Sequence, residues 1–203
     1  LKTRARILDA TLAMLDEKSM RDLRVIDIAR RIGSSPATFY QYFKDVEDVV
    51  LELSTQLNDA VPAMIEVIQG DWRGREGYER GRRLGNLCLE RWGPCAAVLR
   101  VRNTAAVEGD AAFRAARLET LLPILTALGD IIREVRPLPS PNPPNGEWQG
   151  GEVHPISAAF IMVGGLEEMV QHHVRFEKRF SADGEGTPQI VNTFASMMQF
   201  VLS

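Results

Sequence analysis

Residues 25–43 read VIDIARRIGSSPATFYQYF, and the spacing of their apolar residues decides the fold. Val25, Ile28, Ala29 and Ile32 recur at helical intervals, which predicts a short helix over about 24–32 with Asp22 as its cap. Gly33 then ends it, being free to take positive φ. Ser35 is placed to cap a second helix whose first position is Pro36, where a missing N–H costs nothing. Phe39 and Phe43 stand four apart and complete a small core with Ile28 and Ile32. That leaves Thr38, Tyr40, Gln41, Tyr42 and Lys44 to face outward. A small Ala29 at the crossing and a glycine turn four residues on are the parts of a helix-turn-helix; from spacing alone an ordinary helical hairpin has the same parts.

Outward from this stretch the pattern stays helical. Ile7, Leu8, Leu12 and Leu15 predict a helix over 4–17 with Thr3 as cap, and Asp45 opens a helix running to about 69. Pro62 must kink or divide that helix. Further helices are predicted over 75–91, 94–106 and 111–135. Residues 137–153, dense in proline and glycine, predict a mobile loop. The last two helices, about 154–177 and 187–202, carry apolar residues on more than one face, as expected of a pair that meets both its own domain and a partner. No strand alternation or internal repeat occurs. The expectation is an all-α chain of about nine helices, with a domain over 1–45 joined to a larger one over 46–203.

Composition narrows the function. The chain has 203 residues, 45% hydrophobic and 25% charged, with a formal charge of −3, so it lacks the basicity of a sequence-blind nucleic-acid coat. Residues 1–44 nonetheless hold nine Lys/Arg against five Asp/Glu, +4, which leaves −7 for the remainder. A basic end on an acidic protein points to phosphate backbones. The chain begins at Leu1 rather than at a methionine, so residues are expected to precede it. No apolar run of the length that spans a bilayer and no signal sequence is visible, and Cys88 and Cys95, seven apart, suit a reducing compartment; a cytoplasmic location is expected, with no membrane partner. Glu168 and His172 lie one helical turn apart, with His173 beside them, but no further ligands stand at a recognised metal spacing. No nucleophile motif or phosphate loop appears either, so neither catalytic residues nor a cofactor are expected.

Taken together, the preceding amphipathic helix, Ile28-Ala29, Gly33, the run Phe39-Tyr40-x-Tyr42-Phe43 and the acid-rich helix start resemble the N-terminal domain of the TetR family of bacterial transcriptional repressors over about residues 4–53. The resemblance implies a homodimer formed through the last two helices, a palindromic operator in double-stranded DNA read in the major groove, and release by a small molecule held in the C-terminal domain. It places Thr38, Tyr40 and Tyr42 at phosphates or base edges and Gln41 at the groove. Ser35 and Ala37 fall at the start of the recognition helix, with Lys44 just beyond it. Tyr and Thr hydroxyls make neutral phosphate hydrogen bonds, and a Gln amide can pair with adenine. Arg24 stands where the family commonly has a capping threonine and becomes a phosphate ligand; Val46 stands where a lysine is common, and Ser34 replaces an apolar turn residue.

Ligand identity is less legible. Trp92, Leu99, Phe113, Leu121, Leu122, Leu125, Phe160 and Val163 form an apolar set that suits either a pocket for a largely hydrophobic effector or plain core. Pro62 suits either a hinge or a fixed kink. Control by a protein partner, or no inducer at all, is the rival to a small effector.

Overall fold

The computed structural model describes residues 2–135, 153–180 and 186–203, and within those the side chains of 2–135, 153–172 and 189–203. Among the described residues there are ten α-helices and no strand: α1 Lys2–Glu17, α2 Val25–Arg31, α3 Pro36–Tyr40, α4 Val46–Thr55, α5 Val61–Ile68, α6 Gly74–Trp92, α7 Ala96–Glu108, α8 Ala111–Val135, α9 Pro155–Phe180 and α10 Gly186–Leu202. The tenth arises at Pro62. Instead of one helix from 46 to 69, α4 stops at Thr55, a 3-10 stretch covers Gln56–Ala60, and α5 starts with the proline in its first turn. The predicted loop over 137–153 lies outside the described residues except for Val153.

The chain forms two compact units, residues 1–59 with 91–120 and residues 60–90 with 121–203. Each of the three crossings, at Ala60, Arg91 and Leu121, comes within three residues of a proline, Pro62, Pro94 and Pro123. Packing does not divide at residue 45. Ile7, Leu8, Met14 and Leu15 of α1 share one core with Ile28, Ile32, Phe39 and Phe43, and with Val49, Val50 and Leu53 of α4. Val98 and Ala106 of α7 and Phe113 of α8 complete it. Three short helices cannot bury enough apolar surface by themselves, so α4 and α7 are needed to close the core. Trp92 Nε1 donates to the Leu57 carbonyl at 3.1 Å, and a buried chain runs from Arg102 Nη1 to Thr120 Oγ1 (3.1 Å) and on to Asn58 Oδ1 (2.6 Å).

In the second unit, Gly77, Gly81 and Gly85 form a stripe on α6 that lets other backbone come close. A Cβ at Gly81 would stand 2.7 Å from Ala195 Cα of α10, and one at Gly77 only 1.7 Å from the Trp72 carbonyl oxygen. α10 also packs along α9. What α9 and α10 do not bury is apolar: Phe160, Ile161, Met197 and Phe200 are 57–74% exposed.

Candidate nucleic-acid interface

The first two helices of the site are set locally. Gly33 takes φ 63°, and α2 ends as the turn chemistry predicts. Ser35 caps α3, its hydroxyl accepting from the Thr38 N–H at 3.2 Å, with Pro36 at the first position. At the end of α3 the chain tightens instead of continuing: the amides of Tyr42 and Phe43 both donate to the Phe39 carbonyl, at 2.9 and 3.1 Å. Asp45 then caps α4 through the Asp48 N–H (2.8 Å), while Asp48 accepts from the Lys44 N–H (3.1 Å). This reciprocal pair fixes where Lys44 leaves the domain.

Two caps fall elsewhere than the sequence suggests. Asp22 belongs to a 3-10 turn, Met20–Asp22, and accepts from the Ser19 hydroxyl at 2.7 Å; Arg24 occupies the N-cap of α2 and makes no side-chain cap bond. Burial of Leu23 sets that register. Thr3 lies inside α1, which already begins at Lys2.

The aromatics separate by role. Phe39 and Phe43 are 0% and 3% exposed, whereas Tyr40 and Tyr42 are 59% and 37% exposed. Phe39 meets the Tyr40 ring edge-on at 5.7 Å and the Phe43 ring at 6.0 Å, so Phe39 braces Tyr40 and is itself packed on Phe43. Arg4 sits 5.0 Å over the Phe43 ring and pairs with Glu52, and Arg6 donates to the Ile32 carbonyl, tying α1 to the end of α2 and to α4. Ser35, Ala37, Gln41 and Lys44 are exposed and Thr38 half-buried, its hydroxyl 3.0 Å from that of Ser35. Arg24, exposed, joins Tyr40 in lining an open groove between the start of α2, α3 and the start of α4. All eight sequence-predicted contact residues thus lie within one stretch of the first unit and present polar or small groups.

Sequence reasoning missed Ile26, 48% exposed beside Arg24, and the acid Asp27, which pairs with both Arg24 and Arg30. Ile26 was detectable in principle because it falls off the Ile28–Ile32 face. Val46, by contrast, packs against the core and offers no charge. Cation pairing is general here: Arg21 meets Glu108 at 3.0 Å, Arg31 meets Glu17 at 3.1 Å and Lys44 meets Asp45 at 3.8 Å.

The apolar set proposed for a ligand is split between the units. Trp92, Leu99 and Phe113 are buried in the first; Leu121 and Val163 are buried and Leu125 half-buried in the second, where Leu122 and Phe160 are 60% and 57% exposed. The second unit has a charged groove of about 700 Å³ between α5 and α6, lined by Glu66, Arg80, Arg83, Asn86 and Glu90 among others. Arg80 is already committed to the carbonyls of Val67 and Asp71. Glu168 and His172 pair at 3.0 Å, and among the described residues no three metal-binding side chains converge. Nor is any helix among them long and apolar enough to cross a membrane.

This geometry defines a helix-turn-helix DNA-binding protein. Residues 7–53 match the tetR family of bacterial regulatory proteins, and residues 64–192 match the tetracyclin repressor-like C-terminal domain. The chain belongs to the tetR family of bacterial regulatory proteins. Among curated relatives it is 39% identical over 62 residues to the transcriptional regulator BetI of Klebsiella pneumoniae (strain 342) and 37% identical over 62 residues to BetI of Escherichia coli (strain K12 / DH10B). Each match takes in 29% of this chain and 32% of the relative, so the chain spans about a third of the length of those proteins. Solved structures with the same fold include the fatty acid degradation regulator FadR of Bacillus halodurans (18% identity, TM-score 0.65, 96% of this chain and 93% of that one). A regulator from Saccharomonospora viridis in complex with choline is similar over 96% of both chains (17% identity, TM-score 0.66). At these identities the likeness concerns the fold.

Proposed function

We propose that the protein is a repressor that binds a palindromic operator in cytoplasmic DNA as a homodimer and leaves it when a largely apolar small molecule binds the C-terminal domain. The carrying observation is the division on and just after α3, where the rings without hydroxyls are buried and those with hydroxyls are exposed beside Thr38, Gln41 and Lys44. Polar tips on exposed rings, with Tyr40 braced by Phe39, suit phosphate oxygens and base edges, which need hydrogen bonds held at fixed positions. The eight residues named for DNA contact, Arg24, Ser35, Ala37, Thr38, Tyr40, Gln41, Tyr42 and Lys44, keep that role in this reading.

Dimerisation through α9 and α10 is supported by their exposed Phe160, Ile161, Met197 and Phe200 and by an apolar groove along the pair that includes Met162, Ile190 and Phe194. Apolar area of that kind is stabilised by burial at about 25 cal/mol per Å². Two recognition helices then meet successive major grooves roughly 34–36 Å apart. Leu121, Leu125 and Val163 supply apolar atoms for an effector in the second unit. Two similar structures are a fatty acid degradation regulator and a regulator holding choline, and these set the chemical extremes to test. The experiment is a titration of a palindromic duplex, enriched from a random library by the protein, with and without a medium-chain fatty acid or choline. One dimer per duplex and release by the fatty acid alone are expected; binding as a monomer, or release by choline alone, removes the corresponding part of the reading.

A further inference from the structure

We infer that Asp27 is a positioning residue for DNA, holding Arg24 and Arg30 so that their guanidinium groups meet phosphates; the inference rests on the reading of Arg24 as a phosphate contact. One carboxylate serves two arginines with separate oxygens: Arg24 Nε donates to Oδ2 at 3.0 Å, and Arg30 Nη1 lies 3.7 Å from Oδ1. Exposure is lopsided. The Asp27 side chain is 14% exposed, and those of Arg24 and Arg30 are 73% and 74% exposed. The acid therefore sits behind two cations that project past it.

The manner of the Arg24 contact matters. A guanidinium has five N–H groups in a planar fork, and Asp27 takes only the inner one. Among the described residues Arg24 Nη1 and Nη2 make no hydrogen bond, and the residue lines the groove with Tyr40 and Pro36. A phosphate can thus engage the outer edge of the fork while the inner edge stays bound to the carboxylate. An arginine fixed in this way loses less freedom on binding than one on a loose stem. The same hydrogen bond holds the Asp27 carboxyl below its usual range. Arg24 occupies the N-cap of α2, where a guanidinium has no acceptor to offer a cap bond, and its partner in the helix is Asp27.

Simple charge counting makes the opposite forecast. Asp27 is a negative charge beside a polyanion, and on that ground its removal strengthens binding to any duplex. The sign of the effect decides. Affinities of wild type, Asp27→Asn, Asp27→Ala, Arg24→Ala and the Asp27→Asn/Arg24→Ala double variant are measured across a salt series, on a library-enriched palindrome and on a mixed-sequence duplex, with helical content and melting temperature recorded alongside. Arg24→Ala is expected to weaken both duplexes about tenfold and to reduce the salt slope by about one per subunit. Asp27→Asn is expected to weaken both about threefold to fivefold and Asp27→Ala more, with the double variant weaker than Arg24→Ala by less than the Asp27→Asn loss, the remainder being the part that acts through Arg30. An Asp27→Asn protein that folds normally and binds as tightly as wild type or tighter overturns the inference, as does a loss that persists in full on top of Arg24→Ala. Unchanged affinity in Arg24→Ala instead overturns the underlying reading of Arg24.

Discussion

The surface around α3 and the outer surface of α9 and α10 both expose large side chains, but of opposite chemistry. Around α3 the exposed rings are Tyr40 and Tyr42, each with a hydroxyl, flanked by Arg24 and Lys44. On α9 and α10 they are Phe160 and Phe200, flanked by Ile161 and Met197. A phenyl ring gains nothing from lying against phosphate oxygens, and a tyrosine hydroxyl is costly to bury without a partner. On the proposed reading the difference separates two partners: the first surface suits a charged polymer, the other an apolar surface such as a second copy of the chain.

That contrast can be broken in graded steps. The largest effect belongs inside the first surface. Phe39→Ala removes the ring that joins α3 to the core and is expected to cost about 3–5 kcal/mol of stability by thermal or urea melting, with DNA binding lost as a consequence. Its exposed neighbour should behave differently, because removing only the Tyr40 hydroxyl leaves the melting curve within about 0.5 kcal/mol. Next comes the apolar surface. Ile161→Glu with Phe200→Glu is expected to convert dimer to monomer in sedimentation and to weaken operator binding by about a hundredfold or more, since four buried like charges and the lost apolar area oppose association. A dimer that survives both charges would place the interface elsewhere. Smallest is the cap: Ser35→Ala removes the side-chain acceptor of the Thr38 N–H, leaving it only the Ser35 carbonyl, and is expected to cost about 1 kcal/mol in the melt.

How much of this was legible in the sequence follows the range of the interactions. Gly33, Ser35, Pro36 and the Phe39/Phe43 pair act within a few residues, and each was readable from spacing. Asp22 was not, because the register of α2 is set by burial of Leu23 and the 3-10 turn before it, not by the nearest capping side chain. The edge of the first unit was hidden for the same reason: α7 returns from some fifty residues away to close the core. Gly77, Gly81 and Gly85 stood in view at helical spacing, yet a search for apolar periodicity passes over residues with no side chain. The ligand set shows the limit most plainly. Burial at helical intervals marks Leu99 and Val163 alike, but periodicity does not separate a packed interior from a lined cavity, nor Leu121 from its exposed neighbour Leu122.

The central claim, that the exposed hydroxyls of α3 and the turn after it hold the operator, is tested most directly by titrating one enriched palindrome with wild type, Tyr40→Phe, Tyr42→Phe and Thr38→Ala at matched salt. The account predicts that at least one of Tyr40→Phe and Thr38→Ala weakens binding by about fivefold to tenfold while all variants keep the wild-type melting temperature. Undiminished affinity in both Tyr40→Phe and Thr38→Ala would contradict it.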